Sequence, residues 1–200
     1  GANMALLYNL LPEGLDPLDP QVPLIFGAGV LTSLIPGAPR GNVSGAAPDS
    51  DAILDSNAGD YFPSFMRRHG IDHIVLYGRS PGWTVLKLGQ GTTEFLDGEC
   101  YQGMDNIALT TAIEGDFACQ EGRDMAMARI TRAGENLVLC AGIMAGPKSI
   151  WARGGGGAKM GALGLKAILI LGRPPAWPMD DDYRAASKAI GRKILSTSVT

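Results

Sequence analysis

The chain has 200 residues, 46% of them hydrophobic and 18% charged, with a formal net charge of −3. That length suits one domain, and that balance of apolar and charged residues excludes a disordered chain. The slightly acidic total argues against a nucleic-acid binder, and no apolar run approaches the roughly 20 residues of a membrane span.

Glycine is the outlier, at 28 residues spread among many short apolar runs, which points to a β-rich domain with tight turns and close backbone contacts. Gly1 is not an initiator methionine, and residues 1–11 carry a helical apolar pattern with Met4, Leu7, Tyr8 and Leu11 on one face. A helix at the first residue is expected to follow a lost start of the domain. Pro12 and Gly14 stop it, and Asp16-Pro17-Leu18-Asp19-Pro20 is a turn-rich connector. Pro23-Leu24-Ile25-Phe26 predicts a short buried strand. Arg40 lies between a proline and a glycine, so its loop is stiff on one side. A guanidinium there suits an anionic ligand, while a solvated surface arginine is the plainer alternative.

In Ser56-Asn57-Ala58-Gly59-Asp60, Asn57 and Gly59 tolerate left-handed backbone, and Asp60 is placed to cap a helix over 61–69. The stretch reads either as a turn with an N-cap or as a backbone cradle for a ligand. Gly70 ends the helix. Residues 71–77 and 83–88 predict two strands paired across Gly78–Gly82, with 94–97 continuing a meander. His69 and His73, the only histidines, lack a carboxylate or thiol pattern around them and are not expected to hold a metal.

Residues 104–119 suit a helix with Met104, Ile107, Ala108, Thr111 and Ala112 on one side, broken at Gly122-Arg123-Asp124. Strands are expected at 127–131 and 136–141 around a turn at 132–135. Cys100, Cys119 and Cys140 are an odd number at wide spacing, without a CxxC. They read as reduced thiols of a cytoplasmic protein, Cys140 as a small core residue. Three prolines (Pro174, Pro175, Pro178) form a stiff exit. Asp180-Asp181-Asp182 opens a final helix over 181–195, with Lys188, Arg192 and Lys193 towards its C-terminal end, as the dipole prefers.

The densest signal is Arg153-Gly154-Gly155-Gly156-Gly157-Ala158-Lys159-Met160-Gly161, five glycines in nine residues, followed by a helical turn over 158–164 and an apolar strand over 167–171. Such a run is expected where backbone closely approaches something other than packed side chains. Arg153 and Lys159 beside it make that something anionic, a phosphate device at a helix start. Neither nucleotide pattern fits. Met160 stands where a P-loop needs Ser or Thr, and Ala158 stands where the dinucleotide motif needs its second glycine.

Five stretches occur in an order that resembles a known family: Asp16–Phe26, Ser56-Asn57-Ala58-Gly59, Tyr77-Gly78-Arg79-Ser80, Ala133-Gly134-Glu135-Asn136 and Arg153–Ile168. Together they resemble the N-terminal domain of the tungsten-containing aldehyde ferredoxin oxidoreductases. The resemblance implies an α+β fold, a base of two β-sheets with a few helices that cradles a tungsten bis-pyranopterin. It divides the chain into a pyranopterin-binding domain over 1–175 and, over 176–200, a linker and helix leading to domains absent from this sequence. It implies that Asn57, Ala58 and Gly59 present backbone to the pterin phosphates and a bridging magnesium. Arg40, Arg153 and Gly154 would contact the pterin or its phosphates, with Gly155 and Gly157 in the same loop.

The resemblance further implies oxidation of an aldehyde with water to a carboxylic acid. Electrons would pass through a [4Fe-4S] cluster on the absent domains to ferredoxin. The partners implied are the remaining domains or subunits and ferredoxin, with no nucleic acid or membrane and with room for a homodimer. Alone, the chain is expected to have no turnover. The alternatives are a phosphate- or nucleotide-binding module at 153–161, and a remnant with a structural role only. Two positions depart from the family pattern. Asp60 stands where a second glycine is usual, and Lys159 where an apolar residue is usual. A carboxylate beside phosphates is unfavourable unless it points away, caps the helix or meets the magnesium.

Overall fold

A computed structural model describes residues 1–50, 52–89, 91–176 and 179–197. It is an α+β fold built on two sheets. The first joins β1 (Leu24–Ala28), β2 (Gly41–Ala46), β3 (Ile53–Ala58) and β4 (His73–Leu76) in the order β3-β2-β1-β4, antiparallel throughout. The second joins β5 (Thr84–Gly89), β6 (Thr92–Asp97), β7 (Met125–Arg129), β8 (Ile143–Met144), β9 (Ile150–Trp151) and β10 (Leu165–Leu171) in the order β6-β5-β10-β7-β8-β9. Its centre is β10, parallel to β5 and antiparallel to β7. The helices are α1 (Ala2–Leu10), α2 (Tyr61–Arg68), α3 (Asn106–Asp116), α4 (Arg132–Glu135), α5 (Gly156–Ala162) and α6 (Asp181–Leu195).

Side-chain alternation builds two layers of core. One face of β7 gives Ala126, Ala128 and Ile130 to the main core, where they meet Leu24, Phe26, Val43 and Leu54 of the first sheet together with Phe62, Phe65 and Met66 of α2. The opposite face gives Met125 and Met127 to a smaller core under α3, beside Val85, Leu169, Leu109 and Ile113. The two sheets therefore share one apolar interior, and α3 seals the second sheet from outside.

The structure departs from the sequence expectations in four places. Residues 71–77 and 83–88 do not form a hairpin. β4 pairs with β1, Leu76 opposite Leu24, whereas β5 belongs to the second sheet. The connector between them is anchored on both sides, Gly78 N–H donating to Pro20 O at 2.8 Å and Ser80 N–H to Leu163 O at 3.0 Å, so the chain changes sheets there. Residues 136–141 are not a strand. The expected turn at 132–135 is α4, and Val138 N–H donates to Ala133 O at 2.9 Å to close the helix end. The apolar run after it lies on the surface, with Leu139 51% exposed and Cys140 exposed rather than in the core.

The buried faces of two helices also differ. In α1 Asn3 and Leu7 are buried and Tyr8 is 88% exposed, because Asn3 Nδ2 donates to the backbone carbonyls of Ile25 and Asn42. In α3 Leu109 and Ile113 are buried and Ile107 is 77% exposed. The helix starts only after Asp105, whose carboxylate accepts the N–H groups of Ile107 and Ala108 at its N-cap. The helix expected over 181–195 is present as α6, its Asp180 N-cap accepting from Tyr183 N–H at 2.7 Å. Of the exit prolines, Pro178 lies outside the described residues. No helix among the described residues is long and apolar enough to cross a membrane.

Candidate functional site

Three loops from distant parts of the sequence meet at the end of the first sheet. The antiparallel register sets Gly41 opposite Ala58 and Asn42 opposite Asn57, so Arg40 falls beside Gly59. Pro39 Cγ lies 3.5 Å from where a Cβ on Gly59 would sit, and Ser149 Oγ lies 4.0 Å from it. From the other sheet, Arg153 N–H donates to Ser56 Oγ at 3.2 Å, and Trp151 Nε1–H donates to Gly41 O at 3.1 Å. Gly154, at φ +67°, packs on Leu54 of β3. Arg40, Asn57, Ala58 and Gly59 thus share one end of the first sheet, while Arg153 and Gly154 lie farther along β3, against Ser56 and Leu54. Arg40 and Asn57 also line a cleft of about 350 Å³ beneath α1, with Asn42, Asp55 and His73.

The side chains of Arg40 and Arg153 are exposed and form no ion pair among the described residues. Each guanidinium is open to solvent and can take an anionic ligand. Gly59 adds a second sign. Its φ lies outside the left-handed region, and a Cβ there would meet only ordinary contacts. Among the described residues no contact demands a glycine at that point, although Gly59 is buried beside Pro39 and Ser149.

The glycine stretch behaves otherwise. Gly155 takes a left-handed conformation at φ 71° and turns its Cα towards Leu139 O; Gly157 faces Gly142 O, and Gly161 faces Gly134 O. At each of the three a Cβ would collide with backbone. The expectation that these glycines serve something other than packing is corrected: they let α5 lie directly on the 134–142 backbone. Residues 155–163 are buried, and Gly157 N–H is satisfied by Ala141 O at 2.7 Å, so this short helix offers no open N-terminus. Gly155 and Gly157 sit behind the loop that carries Arg153 and Gly154.

Lys159 also leaves the site. Its side chain is fully buried and its Nζ donates to Asp19 O at 2.6 Å, tying α5 to the 16–20 connector. Burial pushes its ammonium down to about 8, with Asp19 and Asp16 pulling the other way. It is a structural tie and not a cation beside Arg153.

Asp60 occupies the N-cap position of α2 but makes no side-chain cap bond. Its Oδ2 accepts the Lys148 N–H at 2.8 Å, so the carboxylate turns towards the β8–β9 turn. Sequence reasoning missed that turn, and it gave Ser56, inside the stretch it singled out, no role of its own. The signal present was Pro147-Lys148-Ser149 between two short apolar segments, a hairpin pattern too brief to stand out. A second groove, of about 320 Å³ between Tyr77, Arg79, Phe95 and Leu163, contains none of the expected ligand residues.

Fold and site together define a class: a two-sheet α+β base whose loops carry exposed arginines without ion pairs among the described residues. Residues 1–172 match the family model described as the aldehyde ferredoxin oxidoreductase N-terminal domain, and the chain belongs to that family. It is 32% identical to the tungsten-containing aldehyde ferredoxin oxidoreductase of Pyrococcus furiosus, over 86% of this chain and 29% of that protein. A protein of the same name from Thermococcus kodakarensis is matched at the same identity and coverage. The aliphatic sulfonate oxidoreductase WOR-like subunit of Pyrococcus furiosus is 29% identical over 82% of this chain. Among solved structures, the active site complex BamBC of benzoyl coenzyme A reductase, in complex with 1,5-dienoyl-CoA, superposes with a TM-score of 0.84. Its identity to this chain is 29%, over 97% of this chain and 29% of that one. The chain spans less than a third of the length of these relatives.

Proposed function

We propose that this chain is the cofactor-binding base of an aldehyde oxidoreductase-like enzyme that uses a tungsten bis-pyranopterin. The observations that carry the reading are the placing of Arg40 beside the Asn57–Gly59 end of the first sheet and of Arg153 against Ser56 of the same strand, with no ion pair to either guanidinium among the described residues. Arg40 and Arg153 would bind phosphate oxygens, and Gly59, with no side chain, would let the ligand approach the main chain. Asn57, Ala58 and Gly154 would complete the cradle, and a magnesium ion held there would offset the phosphate charge. Gly155 and Gly157 shape the loop from behind.

When bound, the cofactor supplies two-electron oxidation of an aldehyde to a carboxylic acid. The role of this chain's residues is to hold and orient it and to set the positive potential around it. The names of the relatives support the metal and the reaction class, and they differ in substrate. By the family resemblance, the [4Fe-4S] ligands, the acid–base residues and the contact with ferredoxin belong to further domains, and the chain alone would not turn over. The rival reading, a nucleotide module at 153–161, loses support because residues 155–161 are buried against their own chain.

The test is metal analysis by mass spectrometry, with pterin fluorescence after oxidation, on the protein purified from its native cells with whatever accompanies it. Tungsten, or molybdenum, with pterin is the expected result. A well-folded sample without metal or pterin leaves a structural remnant.

A further inference from the structure

Asp60, the residue after the Asn57–Gly59 backbone, is left unexplained by the proposed ligand contacts. Its backbone lies at φ 72°, ψ −153°, a region reserved almost entirely for glycine. A residue with a Cβ persists there only when its surroundings hold it. Here the hold comes from 88 residues away, where Lys148 N–H donates to Asp60 Oδ2 at 2.8 Å. The carboxyl group also fills the space beside Gly146, which has φ 155° and no Cβ. Next to it, Phe62 N–H in the first turn of α2 donates to Ala145 O at 3.2 Å, and Ala145 N–H donates to Ser149 O at 2.8 Å. The whole 145–149 turn is therefore pinned to the start of α2, beside Gly59. Ser149 Oγ reaches within 4.0 Å of a Gly59 Cβ position. The Lys148 side chain is exposed and has no ion pair among the described residues, and its backbone is held at Asp60, next to Gly59.

We infer that the 146–149 turn is a third wall of the anion cradle and that Asp60 is the clasp that positions it. Lys148 gives its charge, and Ser149 its hydroxyl, to the phosphate end of the ligand. Asp60 acts through the Lys148 amide and does not touch the ligand. The inference rests on the cradle reading of Arg40, Asn57–Gly59 and Arg153, and adds two binding residues and one positioning residue to it. It also accounts for a carboxylate at that position, because the charge faces the turn's amide. Asparagine can accept the same N–H. Glycine relieves the backbone but releases the turn.

The test follows backbone amides of the 200-residue protein by NMR, with inorganic pyrophosphate as the probe. Wild type and Asp60→Asn should keep the Lys148 amide protected. Asp60→Gly should speed its exchange about tenfold, the loss of one hydrogen bond, with overall stability kept or raised. Pyrophosphate should shift the Gly59, Ser149 and Arg153 amides. Lys148→Ala and Asp60→Gly should each weaken it about threefold, while Lys188→Ala on α6 should not. Binding that shifts Gly59 and Arg153 but is untouched by Lys148→Ala and Asp60→Gly removes the third wall and leaves the cradle standing. Equal weakening by Lys188→Ala reduces Lys148 to bulk charge and overturns the inference. No shift in any of the three loops overturns both readings.

Discussion

Arg129 and Glu121 are paired at 2.7 Å with both side chains almost wholly buried, yet Arg129 Nη2 and Glu121 Oε2 have no hydrogen-bond partner among the described residues. Burial pushes the Glu121 carboxyl up, and the guanidinium opposes that shift. Removing one member leaves a naked buried charge, so Arg129→Met should destabilise by about 3–5 kcal/mol in urea unfolding, and the double variant with Glu121→Leu should recover most of the loss. Lys159 makes a pH-dependent contribution. Its ammonium titrates near 8 in the folded protein, below the ordinary 10.5, so between those values the unfolded chain holds a proton that the native one has released. The burial penalty is full below pH 8 and is relieved as the pH rises towards 10.5. The stability of wild type relative to Lys159→Met should therefore climb by about 3 kcal/mol across that window, and a flat difference would contradict it. The glycines separate by the same logic of surroundings. Gly157→Ala should unfold the protein readily, because the new methyl meets Gly142 O. Gly59→Ala should leave the melting temperature nearly unchanged, because the new methyl meets only ordinary contacts with Pro39 and Ser149, and should reduce pterin content.

At the scale of elements, α5 and its glycines show why the sequence was partly legible. The dense run at 153–161 marked a close backbone approach, and that holds for Gly155, Gly157 and Gly161. What approaches is the chain itself. Composition cannot tell a phosphate from a neighbouring carbonyl, because both require the absence of a Cβ. Gly161→Ala should push α5 off Gly134 and expose the α4–α5 seam, seen as faster amide exchange at 134–142. The strands at β1 and β10 and the helices α2 and α6 were readable from apolar period and end signals, being local properties. The pairing of β4 was not. Gly78–Gly82 has the composition of a hairpin, and only Pro20 and Leu163, both distant in sequence, send the two arms to different sheets. The 137–140 run failed for a similar reason: four apolar residues in succession signal a strand, but Leu137 adopts φ 53° and the segment turns.

For the whole molecule, the sheets are joined by one aromatic cluster. Trp151 of the second sheet meets Phe26 of the first at 5.6 Å and Phe62 of α2 at 6.0 Å, edge to face. Trp151→Ala should cost about 3–5 kcal/mol. In wild type, tryptophan fluorescence and far-ultraviolet circular dichroism should report a single shared transition, and separate midpoints would mean that the sheets unfold independently. The placement of β10 has a further consequence on the ribosome. The middle strand of the six-stranded sheet is the last strand among the described residues, and it fills the gap between β5 and β7. During synthesis those two strands wait as open edges until residue 171 leaves the exit tunnel, the state in which unpaired strands recruit chaperones or one another.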